Sequence, residues 1–145
     1  MIVVWGIAVL CTLFLSSCNR PEVLDNSTLV NSARNVALTF GPAYVPFFKE
    51  ANVSDVQVFK KKDYGGDSRP QIRKQIGRKF YTVTFTYDST AVKFDFGFAA
   101  RVRIWKDTGE PLDVIFGNGW GRNFFFLSFK EQTDHSANDY EKVAS

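Results

Sequence analysis

The spacing of apolar residues predicts one helix near the start of the chain. Between residues 27 and 40 the apolar positions recur at offsets of 4, 7, 8 and 11 from the first, which places them on one face of an α-helix: Leu29, Ala33, Val36, Ala37 and Phe40. Ser27 or Asn26 can cap the start of this helix. Gly41, followed by Pro42, is a typical end.

Further along the chain the apolar period shortens to two, which is typical of strands with one buried and one solvated face. In residues 79–88, for example, tyrosine, valine and phenylalanine alternate with threonine. The turn Asp88-Ser89-Thr90 would join this strand to the next as a hairpin. The segments that we predict as strands are 53–60, 79–88, 91–98, 101–105, 112–117 and 123–129.

This element order predicts an α+β fold, with one N-terminal helix packed on a curved antiparallel sheet of four to six strands. An all-β sandwich with a peripheral helix is the alternative. The order is similar to that of the cystatin and NTF2-like α+β rolls, and this resemblance implies a fold but no function. We assign residues 27–130 to a single domain and residues 131–145 to a polar C-terminal tail.

Composition narrows the possible classes of protein. The chain has 145 residues, 45% of them apolar, with 15 Phe, 5 Tyr and 3 Trp, which suits one folded domain rather than a disordered protein. Both cysteines, Cys11 and Cys18, lie in the first 18 residues, so the remainder has no disulfide framework and no cysteine-based zinc site. A net charge of +3 is too small to indicate nucleic-acid binding.

The first residues have the pattern of a signal peptide. Residues 2–17 form an uncharged and mostly apolar run of 16 residues, whereas a membrane-spanning helix needs about 20. The run ends in Leu15-Ser16-Ser17-Cys18, which resembles the lipobox of bacterial lipoprotein precursors. The resemblance implies that residues 1–17 are removed and that the Cys18 thiol receives a diacylglycerol.

The same resemblance indicates where the protein would be found. Several acyl chains anchor a protein durably to a membrane, which one chain does not. Residues 18–26 would then form a lipidated tether. Asn19 after the cysteine implies the outer membrane of a Gram-negative bacterium rather than the inner one. We therefore expect a membrane partner through the lipid anchor, a protein or glycan as a further partner, and no nucleic acid.

A basic segment, residues 60–79, contains eight basic and two acidic residues, a local charge of +6. Beside a membrane, such a segment can contact anionic headgroups or acidic glycans. The alternative is a solvated loop that only keeps the protein soluble. The candidate residues for contact with an anionic surface are Lys60, Lys61, Lys62, Arg69, Arg73 and Lys74.

Two aromatic positions are candidates for binding. Trp120 lies among the glycines of GNGWGRN, where an exposed ring can stack on a sugar or anchor a protein partner, with Asn118 and Arg122 as polar neighbours. The alternative is a tight hairpin whose tryptophan folds back over the sheet. Phe125, the middle ring of three, faces away from its neighbours if the segment is a strand, and it then lies in a central strand or in an apolar pocket.

Catalytic signals are weak. The one histidine, His135, lies in the polar tail, and its neighbours Asp134 and Ser136 do not form a triad because adjacent side chains diverge. We assign no catalytic, cofactor or metal residues. The sequence favours a non-catalytic binding or interaction domain, and the alternative is a small enzyme or small-ligand carrier that uses a cavity between helix and sheet.

Overall fold

A computed structural model describes residues 24–134. Within this range one long helix packs against an open six-stranded antiparallel sheet, which confirms the predicted α+β class over the all-β sandwich. The predicted signal peptide, Cys18, most of the tether and His135 with the rest of the tail lie outside the described residues.

Helix α1 is Asn26–Phe40 and buries Leu29, Ala33, Val36 and Ala37 of the predicted apolar stripe, while Phe40 is partly buried. Its N-cap is Asp25, not Ser27 or Asn26 as predicted, since the Thr28 backbone N–H donates to the Asp25 carboxylate at 2.7 Å. Ser27 instead donates its hydroxyl to the same carboxylate. The helix ends as predicted at Gly41, whose N–H donates to the Ala37 carbonyl at 2.8 Å.

The sheet is built around three long strands. Strand β3 pairs with β4, β4 with β5 and β5 with β6, while β1 and β2 pair with successive parts of the other edge of β3. A one-turn helix, α2, lies between β2 and β3 at Pro70–Arg73. The strands are β1 Ala51–Val53, β2 Gln57–Val58, β3 Lys79–Phe85, β4 Ala100–Trp105, β5 Pro111–Phe116 and β6 Gly121–Asn123.

The register defines the two ends of the sheet. Phe80 lies opposite Trp105 at one end, and Phe85 lies opposite Ala100 at the other. We call these the Phe80 end and the Phe85 end. The pairing of β4 with β5 shifts by one residue near the Phe80 end, where Leu112 has no partner in β4.

Residues 91–98, predicted as a strand, belong to the connection between β3 and β4. The Ala99 N–H donates directly to the Phe85 carbonyl, so the segment between them is excluded from the ladder. Its rings pack locally, with Phe94 4.7 Å from Tyr87 and 5.4 Å from Tyr44 between ring centroids. Phe96 is 46% exposed.

The predicted strand 123–129 is also wrong beyond its first residue. Strand β6 stops at Asn123, and residues 125–127 form bends before a helical turn at 129–134. The three adjacent rings have different partners: Phe124 packs on Phe40, Phe125 on Phe59, and Phe126 lies beneath the Arg69 guanidinium. Because these partners lie in different directions, the segment does not continue as a strand.

Each face of the sheet carries its own core. On one face, side chains of α1 pack against aliphatic residues of the three long strands. On the other face, a second and more aromatic cluster comprises Phe59, Ile72, Phe80, Trp105 and Leu112.

Candidate functional site

The second face of the sheet is only partly covered. Residues 59–78, which we call the cover, run across it at the Phe80 end, with Phe59 and Ile72 as their buried anchors. The Phe59 ring lies 5.7 Å from Trp105 and 6.5 Å from Phe80, between centroids. The basic segment predicted as a loop is therefore partly helical and packs on the sheet through its few apolar side chains.

Beside the cover, the same face remains open. A concavity of about 560 Å³, which we call the groove, lies over β3, β4 and β5. Its floor alternates hydroxyl and guanidinium groups, because threonines of β3 pair with arginines of β4. The groove is lined by Ser54, Gln57, Asp63, Phe80, Thr82, Thr84, Arg101, Arg103 and Ile115.

Arg103 is neutralised within the protein by a buried carboxylate. Its Nε donates to both oxygens of Asp113 at 2.9 and 3.1 Å, and its Nη2 donates to Asp113 as well. Burial raises the pKa of the Asp113 carboxyl, and the hydrogen bonds from Arg103 oppose that shift. This pair gives the sheet face a fixed polar centre.

Arg101, in contrast, is exposed, and no carboxylate in residues 24–134 lies within 4.0 Å of it. Its guanidinium carbon lies 4.3 Å from the centroid of the Phe98 ring, which holds it at the Phe85 end of the groove. Toward the Phe80 end of the groove, the Thr82 hydroxyl donates to the Gln57 side-chain oxygen at 3.0 Å. The arrangement can bind an anionic or hydroxylated molecule.

The hairpin between β5 and β6 carries Trp120. Its ring stacks on Phe116 at 5.5 Å, as in the folded-back alternative, yet 44% of the residue stays exposed. The Asn118 side-chain oxygen accepts the backbone N–H of Trp120 at 3.1 Å, and the Arg122 guanidinium lies 5.8 Å from the centroid of the Trp120 ring. These three predicted residues therefore lie together, at the Phe85 end of the sheet.

Phe125 lies elsewhere, at the Phe80 end. It is half-buried, with its centroid 4.7 Å from Tyr64 and 5.6 Å from Phe59. It also lines a cavity of about 180 Å³ together with Trp105 and Arg78. The structure does not bring Phe125 together with Trp120.

The basic candidates lie on the outer surface of the cover. Arg69 is bound to Asp67 at 2.6 Å and lies 4.2 Å from the centroid of the Phe126 ring. The others are exposed, and in the described part of the chain none has a carboxylate within 4.0 Å: Lys60, Lys61, Lys62, Arg73 and Lys74. They remain available to an external anion.

Sequence reasoning missed the groove. Arg101 and Arg103 lie two residues apart in the predicted strand 101–105 and share one face, but we did not pair that face with Thr82 and Thr84 of the neighbouring strand. The matching alternation of threonine and arginine is the signal in the sequence that could have found it.

Three further observations bear on function. Among residues 24–134, no three His, Cys, Asp or Glu side chains group together as a metal site requires. Within the same range no helix has the length and apolar character needed to cross a bilayer. Comparison of the chain with protein-family models, curated proteins and solved structures finds no match.

Proposed function

We propose that this protein is a lipoprotein of the bacterial cell envelope, anchored through Cys18 in the outer membrane, whose α+β domain binds a protein or glycan without catalysis. The observation that carries the proposal is the sequence Leu15-Ser16-Ser17-Cys18 directly after an uncharged run of 16 residues. Export and acylation at that cysteine are what the resemblance to lipoprotein precursors implies.

The start of the folded body supports a short tether. Leu24 packs against the main core, and a β-carbon placed on Gly109 would lie 3.5 Å from its side chain. Gly109 belongs to the turn between β4 and β5 at the Phe80 end. Six residues from Cys18 to Leu24 reach about 20 Å at most. An anchored Cys18 would therefore keep the Phe80 end close to the membrane.

The charge distribution supports the same orientation. Residues 60–79 carry a charge of +6, whereas the rest of the described chain has eight basic and ten acidic residues. The basic segment ends at Lys79, whose carbonyl accepts the Lys106 N–H at 2.9 Å, beside the turn that contacts Leu24. We propose that the cover contacts anionic headgroups, each basic residue contributing about 1 kcal/mol.

Trp120, Asn118 and Arg122 lie at the opposite end of the sheet. In this orientation they would point away from the membrane, where a glycan or protein partner could reach them. An exposed ring beside a guanidinium suits either partner.

One observation favours a second candidate function, that of a small-ligand carrier. The volume of the groove lies within the range of small-molecule sites. The space between helix and sheet, which the alternative prediction would use, is an unfavourable place for a ligand, because Leu29, Ala33 and Val83 are at most 1% exposed there. A carrier would use the opposite face instead.

Labelling with a palmitate analogue in a bacterial host tests the anchor. We expect the protein to be labelled, the Cys18→Ala variant to lose the label and the Cys11→Ala variant, altered within the predicted signal peptide, to keep it. Equal labelling of the two variants would contradict the proposal.

Quenching by lipids that carry a headgroup spin label tests the orientation. A fluorophore on Thr108→Cys, at the Phe80 end, should be quenched more than one on Ser89→Cys, at the Phe85 end, when the lipidated protein is in anionic vesicles. The difference in quenching between the two sites should shrink in the variant Arg73→Gln/Lys74→Gln, which removes two charges from the cover. It should persist in Lys93→Gln/Arg101→Gln, which removes the same number of charges outside the cover. Equal quenching at both sites would refute the orientation while leaving the anchor intact.

A further inference from the structure

We infer that the groove is a binding site for a small polyhydroxylated anion, a sugar acid or a sugar phosphate, and that Arg101 holds its acidic group. This inference rests on the proposed binding role of the domain. It concerns the open part of the second sheet face, which lies apart from Trp120 and from the outer surface of the cover.

The charged side chains of the groove differ in whether they are already paired within the protein. Arg103 is bound by Asp113, and the Asp63 carboxylate accepts the backbone N–H of Lys60 at 2.7 Å. Arg101 has no such partner in residues 24–134, and its planar guanidinium matches two oxygens of a carboxylate or phosphate. Arg101 is therefore the guanidinium of the groove that stays available to an acidic ligand, whereas the charge of Asp63 acts on the neighbouring Arg103.

The neutral polar groups of the groove can form hydrogen bonds with the hydroxyl groups of a ligand. Among the described residues, the Thr84 hydroxyl and the Gln57 amide nitrogen have no hydrogen-bond partner, so each can serve a ligand. Ile115, which is 36% exposed, adds apolar surface against which the C–H face of a sugar ring can lie. A polar floor with one apolar contact fits a hydroxylated ring better than an aliphatic chain.

The floor is held in place before a ligand arrives. Thr84 and Arg101 are paired positions of β3 and β4, and Thr82 pairs with Arg103. The Arg103–Asp113 pair and the Phe98 ring fix the two arginines. A site on paired strands loses little conformational entropy when it binds, which favours affinity for a small ligand.

Three probes that share one ring test the inference: glucose, glucuronate and glucose 6-phosphate. Each is titrated into the isotope-labelled full chain in detergent micelles, and the backbone amide signals of residues 82–84 and 101–103 are followed by NMR. We expect saturable shifts in the millimolar range with at least one acid, and binding of glucose at least about tenfold weaker. The acid that binds more tightly distinguishes a sugar acid from a sugar phosphate.

Variants locate the acidic group. Arg101→Gln should weaken binding of the acid about tenfold or more, since a charge-assisted pair is lost. Arg34→Gln, which alters an arginine beside the Phe48 and Phe85 rings on the helix side of the sheet, should leave binding unchanged. Absence of saturable shifts with both acids, equal binding of glucose, or unchanged binding in a folded Arg101→Gln protein would overturn the inference. None of these outcomes depends on acylation of Cys18.

Discussion

The two faces of the sheet are built differently. The face beneath α1 is closed: aliphatic side chains of helix and strands meet with at most 1% exposure. The opposite face is divided between an aromatic cluster under the cover and an open groove lined by threonine, glutamine and arginine. One side of the sheet is filled, and the other keeps polar groups within reach of solvent.

This difference separates stability from recognition. Burial of apolar area on the closed face provides most of the driving force for folding. Polar side chains on the open face contribute little to it, and they are free to be selected for binding. Substitutions at neighbouring positions of one strand should therefore have very different effects.

The largest effect is expected for Phe85→Ala. Phe85 is fully buried on the closed face, and its ring lies 4.2 Å from that of Phe48, between centroids. Truncation should lower the free energy of unfolding by about 4 kcal/mol, because it removes buried area and leaves a cavity. Urea denaturation measures the change.

Thr84→Ala is the matched control, one residue away in the same strand on the groove face. It should change the free energy of unfolding by no more than about 0.5 kcal/mol. Similar losses in the two variants would contradict the division between closed and open faces.

The next effect concerns the buried ion pair. Arg103→Met leaves the Asp113 carboxylate without its donors inside the protein, which should cost about 3 kcal/mol. The loss should be smaller at low pH, where the carboxyl is protonated, since burial already raises the pKa of Asp113.

The double variant Arg103→Met/Asp113→Leu serves as the control. It removes both charges and should recover most of the stability lost in the single variant. If the double variant is less stable than Arg103→Met, the pair is not the polar centre of this face.

Loosening of the cover should have an intermediate effect. Ile72 is buried beneath the cover, and Ile72→Ala should cost about 2 kcal/mol. Hydrogen exchange should accelerate most for residues 59–78 and Phe80, while α1 remains protected. Uniform acceleration across both faces would show that the cover is not a separate layer.

The smallest of the four effects is expected at the helix cap. Asp25→Ala removes the acceptor of the Thr28 N–H, so the thermal midpoint should fall by less than in Ile72→Ala. The hydrogen bond from Thr28 lowers the pKa of Asp25, so its contribution is present above the ordinary aspartate pKa and is lost as pH falls through the lowered value. A variant with an unchanged acid-unfolding profile would contradict this role.

The two faces of the sheet differ in how well their structure could be predicted from the sequence. The closed face was predictable, because an apolar stripe on α1 and period-two alternation in β3, β4 and β5 follow directly from backbone geometry. The aromatic segments 91–98 and 123–129 were not predictable. Rings such as Phe94 and Phe125 pack on individual aromatic partners and do not alternate between the two faces of a strand.

The groove could not be predicted from the pattern of residues within a single strand. Thr84 and Arg101 become neighbours only through the pairing of β3 with β4, and the openness above them depends on where the cover stops. The cap at Asp25 was missed because Asp25, Asn26 and Ser27 are all good N-caps, and geometry decides among them.

Mass spectrometry of the N-terminal peptide of the native protein tests the central claim most directly. If the protein is an anchored lipoprotein, this peptide begins at Cys18 and its mass includes a diacylglycerol on the sulfur. A peptide that begins at Met1, or an unmodified Cys18, would contradict the account.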